Sequence, residues 1–168
     1  CSPTRHLEES EQLLSKVSIK SIGENKFDGE LGSIAKQKPN RKLLGVFRLY
    51  LGIYNLYYNK TDSKIKDKLG EAPVLYDSTL NEASVELMTR FLNNKGYYEN
   101  TVSVEVFPHR KRKSLAESKK VKMIYTIHKG KRYLISRLDK DISDPEIKQI
   151  VKEAYTNQNL KIYDPFDL

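Results

Sequence analysis

Cysteine is almost missing: Cys1 is the only one in 168 residues. Internal disulfides and thiolate metal clusters are thereby excluded. Long apolar runs are missing too. The most apolar stretch, residues 43–58, falls short of the ~20 residues a spanning helix needs, and Arg48 and Asn55 interrupt it. There is no glycine-rich phosphate loop and no serine elbow. The histidines, His6, His109 and His128, sit in a tail, a loop and a strand end, none at ligand spacing with another. Asp139, Asp141 and Asp144 lack the pattern of a calcium loop and read as an inter-domain turn. No catalytic residue, metal or cofactor is expected, and the chain is not read as an enzyme.

What is present is positive charge. Thirty basic residues against 22 acidic ones give a net +8, which draws the molecule to nucleic acid, phospholipid headgroups or acidic proteins. Nucleic acid is disfavoured, since no aromatic is interleaved with the basic run Arg110, Lys111, Arg112, Lys113 and no recognition fold is evident. Such a run is ordinarily a solvated loop tip. Beside a membrane anchor it would favour anionic headgroups by ~1 kcal/mol per basic residue, making it a possible membrane or anion contact. Cys1, followed by a short polar run, resembles the first residue of a processed bacterial lipoprotein. Its acyl chains, at ~0.8 kcal/mol per buried CH₂, would make a stable anchor. Phe47, Tyr50, Tyr54, Tyr57 and Tyr58, flanked by Arg41, Lys42 and Arg48, read either as an interfacial helix or as a packed one, with packing favoured.

Periodicity supplies the elements. Residues 1–13 read as a flexible tether. Residues 17–22 alternate as a half-buried strand stopped by Gly23. A short helix is expected around Leu31, Ile34 and Ala35, ended by Pro39. The run 43–58, apolar nearly all round, predicts a helix packed on more than one side, and residues 60–68 a charged, weakly structured connector. Residues 79–95 predict a helix with Leu80, Ala83, Leu87, Phe91 and Leu92 at helical spacing. Thr79 and Glu82 would form its capping box and Gly96 its left-handed terminator. Val102, Val104 and Val106 predict a strand, residues 121–127 its partner, and the segment between them a long basic hairpin loop. Residues 133–138 predict another strand, and Ser143 to Glu146 open a further helix.

Strand, helical region, helix, strand, strand, followed by one more strand and helix, resembles a POTRA (polypeptide-transport-associated) domain running into a second. The stretch from Leu92 to Tyr98, with Gly96-Tyr97, is similar to the helix exit of such domains. The stretch from Val121 through Gly130 to Tyr133 resembles their closing strand and glycine turn. Residues 37–45 through 51–55, joined to 70–77, are similar to the N-terminal region of lipid-anchored, TamA-like members of the BamA/TamA outer-membrane assembly superfamily. The implied architecture is α+β: a POTRA-like β-α-α-β-β unit over 14–130, with a small mixed sheet covered on one side by helices. A helical insertion interrupts it at about 39–76, and an incomplete second POTRA-like unit occupies 131–168.

The resemblance implies a periplasmic module of an outer-membrane assembly or translocation factor, tethered to the outer membrane by lipid at Cys1. Its partners would be client outer-membrane proteins, partner subunits and its own C-terminal β-barrel, which is not in these 168 residues. The binding element would be an exposed edge strand formed by Thr101, Val102, Ser103, Val104, Glu105 and Val106. Its unpaired backbone groups would accept an extended peptide, while the valines face the 79–95 helix. The principal alternative is a membrane-surface interaction lipoprotein using the basic and aromatic patches, without client handling. A cytosolic nucleic-acid binder is a third.

Overall fold

The computed structural model describes residues 3–23, 26–45, 47–60, 64–110 and 114–136, with Ser143, Asp144, Glu146, Ile147 and Gln149. Cys1, Lys111, Arg112, Lys113 and nearly all of the expected second unit lie outside the described residues. Alternating sequence makes three strands, β1 (Leu13–Ile22), β2 (Thr101–Pro108) and β3 (Lys120–His128), in one sheet of order β1-β3-β2. β1 runs parallel to β3, and β2 antiparallel to it. Every second residue of β3 is buried: Val121, Met123, Tyr125 and Ile127. Val17 and Ile19 of β1 and Val102, Val104 and Val106 of β2 stand in register with these and pack on the same core.

Four helices have described bounds, α1 (Asp28–Ile34), α2 (Leu49–Leu56), α3 (Lys64–Leu69) and α4 (Leu80–Asn94), and Glu146, Ile147 and Gln149 are helical as well. α1 lies against β1 and α4 against β2, and the two touch each other over the core face, contributing Leu31, Met88 and Leu92. The fold is therefore α+β, with a small mixed sheet covered on one side by helices. The buried seam of α4 is Ser84, Met88 and Leu92. Of the expected stripe Leu80, Ala83, Leu87, Phe91 and Leu92, Leu92 is in the core and Phe91 packs on it, while Leu80, Ala83 and Leu87 are rotated off the seam. Ser84 is tolerated there because its hydroxyl donates to Leu80 O and accepts the Lys36 amide. Nor does Thr79 cap the helix. Asp77 Oδ1 takes both the Thr79 amide and its hydroxyl, which holds the Asp77 carboxyl below its ordinary range. Gly96 does end the helix in the left-handed region at φ 84°, with the Tyr97 amide on Leu92 O.

The region 39–76 forms an annex beside β1. α1 stops at Ile34, ahead of Pro39, because Ala35 turns extended. The run 43–58 is helical only as α2. Leu44 and Gly45 are both left-handed, at φ 51° and 73°, and reverse the chain so that Leu43 and Phe47 pair. α2 buries Leu51 and Asn55 while Leu49 and Leu56 stay exposed, so it packs on one side, not several. The connector at 60–68 ends in helix α3, which buries nothing. Residues 8–12, read as tether, are held: Lys119 Nζ donates to Glu8 O, and the Gln12 amide to Leu115 O and Ser118 O.

Leu134 holds a β-bridge position within the strand expected at 133–138, of which residues 137 and 138 lie outside the described residues. The Tyr133 amide donates to Gly96 O and its hydroxyl to Glu99, carrying the chain across the α4–β2 connection. Gly130 makes this crossing possible. It is left-handed at φ 69°, and a Cβ there would stand 2.7 Å from Glu99 O. Gly130→Ala is expected to cost about 2–4 kcal/mol from the two effects together, read as a lower denaturation midpoint.

Candidate functional site: the edge of β2

The phase of the β2–β3 ladder decides which backbone groups are free. The His109 amide donates to Lys120 O, so residues 109 and 120 are a hydrogen-bonded pair. Stepping back by two along the observed register, residues 107, 105, 103 and 101 turn their N–H and C=O groups toward β3. Val102, Val104, Val106 and Pro108 therefore turn theirs outward. Among the described residues no other strand lies beside β2, and no backbone group pairs with these. Pro108, which has no N–H, falls on the outward side, where it leaves no ladder bond unmade.

The expected binding strand is thus split by function. Val102, Val104 and Val106 point their side chains into the core and their backbone outward. Thr101, Ser103 and Glu105 are exposed on the helix-free face and hold β3 through their backbone. On that same face a groove of about 380 Å³ is lined by Phe107, Pro108, Lys122 and Ile124, at the Pro108 end of the edge. A peptide strand added to β2 would place alternate side chains over this groove, where the Lys122 ammonium lies 5.6 Å from the Phe107 ring centroid.

The opposite edge is partly closed. Leu14 N donates to Val74 O, Tyr76 N to Gln12 O, and the Arg48 guanidinium to Ser15 O. Beyond Ser15 the outward groups are those of Val17, Ile19 and Ser21, a run flanked by exposed Lys16 and Lys20. Edge lysines discourage strand addition.

Sequence reasoning missed the cluster where β1 begins and β2 ends. Ser15 Oγ donates to Val121 O at 2.6 Å, so it can only accept from His109 Nδ1, 3.0 Å away. That fixes the proton on Nδ1 of the neutral ring. Partial burial, then Lys120, Arg48, Lys122 and Arg110, push the His109 pKa down. Burial lowers Lys120 as well, with Arg48 and Arg110 adding to it. None of these five forms an ion pair among the described residues. Because folded His109 binds its proton more weakly than unfolded, its contribution is fully present above the unfolded value of about 6.5 and declines as pH falls below it. A thermal midpoint that drops on acidification through that range is expected, with a flatter profile for His109→Gln.

Of the remaining readings, Arg110 is exposed beside this cluster. His6 stacks on Tyr58 and His128 is exposed at the end of β3. Among the described residues no three His, Cys, Asp or Glu side chains gather as a cation site, and no helix is long and apolar enough to cross a membrane. Neither a protein-family model nor a curated protein sequence matches this chain.

Proposed function

We propose that this chain is a POTRA-like periplasmic module of an outer-membrane assembly or translocation factor. It binds client or partner polypeptides by adding their extended segments to the outer edge of β2. The observation that carries this reading is the run of outward backbone groups at Val102, Val104, Val106 and Pro108, unpaired among the described residues. Main-chain pairing is largely indifferent to client sequence, and the Phe107–Ile124 groove beside it receives apolar side chains without demanding one shape. The lipid at Cys1 and further domains ending in a barrel belong to the same reading; acyl mass on membrane-extracted protein tests the first.

The direct test is amide exchange by NMR while a soluble peptide of alternating valine and threonine is titrated in. Val102, Val104 and Val106 amides should gain protection, whereas Ser103 and Glu105, already bonded to β3, should not change. Protection at Val17, Ile19 and Ser21 instead would move the site to β1. No protection at either edge would remove strand addition altogether.

A further inference from the structure

Exposed apolar surface is concentrated in the annex. Nine of the fifteen large apolar side chains exposed among the described residues fall between 39 and 76. The same segment holds seven basic against three acidic residues, half of the chain's net +8. Its most exposed point is the reversal at Leu44 and Gly45, closed by the Leu43 amide on Phe47 O at 2.7 Å and the Phe47 amide on Leu43 O at 3.1 Å. Leu44 at this turn is 87% exposed and Phe47 66%.

Leu44 is unfavourable twice over. Its φ of 51° is a conformation that glycine or asparagine adopts far more readily. Its side chain gains nothing from water. A polar or glycine residue there would suit an isolated soluble domain better, and strain of this kind clusters where a segment meets a ligand. Leu49, 47% exposed, continues the apolar surface into α2, and Leu56 lies two turns further on the same stripe. Exposed Lys42 precedes the turn, while Arg41 beside it pairs with Glu71 and Arg48 after it is held on Ser15 O.

We infer that the turn carrying Leu43, Leu44, Gly45 and Phe47 inserts its apolar tip into the headgroup layer of an anionic lipid bilayer, with Lys42 and the exposed annex lysines Lys60, Lys64 and Lys68 on the phosphates. A bilayer fits better than a protein partner for two reasons. A single protruding tip offers little of the ~800 Å² per side that a standard protein interface buries. Basic residues around an apolar tip match an anionic surface over a hydrocarbon interior. Burial first, and then the positive charges of Arg48 and Arg110, lower the proton affinity of His109 and Lys120, so a nearby layer of phosphates would offset that positive field. This contact is independent of strand addition at β2.

The test uses the 168-residue chain carrying no acyl group, with vesicles of phosphatidylglycerol and phosphatidylcholine, or of phosphatidylcholine alone. The chain should cosediment with the anionic vesicles and at least about tenfold less with the neutral ones. Leu44→Gly combined with Phe47→Ser should weaken that binding at least about tenfold. Leu44→Gly alone should keep or raise the thermal midpoint while still binding less, because glycine relieves the left-handed strain. The chain has no tryptophan, so Leu44→Trp gives a single reporter whose emission should shift blue and be quenched by brominated acyl chains. Wild type left in the supernatant with anionic vesicles, a loop variant that cosediments like wild type, or an unquenched reporter would each overturn the inference. So would self-association through the loop without vesicle binding.

Discussion

Val104→Pro is expected to abolish peptide addition while leaving the domain folded, and Glu105→Pro to unfold it. The two substitutions are at adjacent residues of the same strand, and the decisive difference is which way the amide points. Val104 turns its N–H to the free edge; Glu105 turns its N–H to Ile124 of β3. Proline at 104 removes a donor that has no partner among the described residues and puts a ring in the path of an incoming strand. Edge positions of this phase are where proline is tolerated in sheets. It does replace a side chain packed on the core, so a modest loss of stability, about 1–2 kcal/mol, is expected. Proline at 105 breaks a ladder bond in the middle of a three-stranded sheet and collides with β3, at about 3 kcal/mol or more. Peptide affinity should fall at least about tenfold for Val104→Pro, with a native circular dichroism spectrum retained. Unchanged affinity for Val104→Pro would mean that the peptide binds elsewhere.

Local signals made much of this fold readable. Val102-Ser-Val-Glu-Val106 announces a strand by alternation, and Gly96 announces a helix end by its freedom at positive φ; both are where the pattern places them. The seam of α4 was displaced because Ser84, polar on any scale, is buried by two hydrogen bonds that periodicity does not register. The run 43–58 looked uniformly helical because composition says nothing of two successive left-handed residues, Leu44 and Gly45. Within the strand expected at 133–138, Tyr133 is bound to Gly96 and Glu99, contacts across 34 residues or more that alternation does not announce. The edge of β2 is legible as a strand, yet its openness is a property of topology. Only the sheet order and the His109–Lys120 bond decide which valine amides face out. The cluster of Ser15, Arg48, His109 and Lys120 draws on four separated segments, and no spacing rule joins them.

Asn40→Ala is the second large effect, expected to cost about 2–4 kcal/mol and to loosen the annex ahead of the sheet. Asn40 is 2% exposed, yet it belongs to no helix or strand. Its Nδ2 donates to Ala72 O at 2.7 Å, and its Oδ1 accepts the Val74 amide at 3.0 Å. Gln37 does the same for Asp77, donating to its carbonyl and accepting its amide. Two side-chain amides thus stand in for a missing strand, satisfying backbone that would otherwise be stranded beside the core. Alanine at 40 leaves a carbonyl and an amide unpaired, each costing about 1–3 kcal/mol where water cannot reach. The consequence reaches β1, because the segment that Asn40 clamps is the one whose Val74 carbonyl and Tyr76 amide seal the edge at Leu14 and Gln12. Exchange at the Leu14 and Tyr76 amides should accelerate well before that at Met123 or Tyr125 in the central strand. Concentration-dependent association should appear with it, since a newly bared edge next to a buried leucine pairs readily with another chain. Equal acceleration throughout the sheet would show instead that annex and core melt as one unit, and that the clamp supports the whole domain, not one edge.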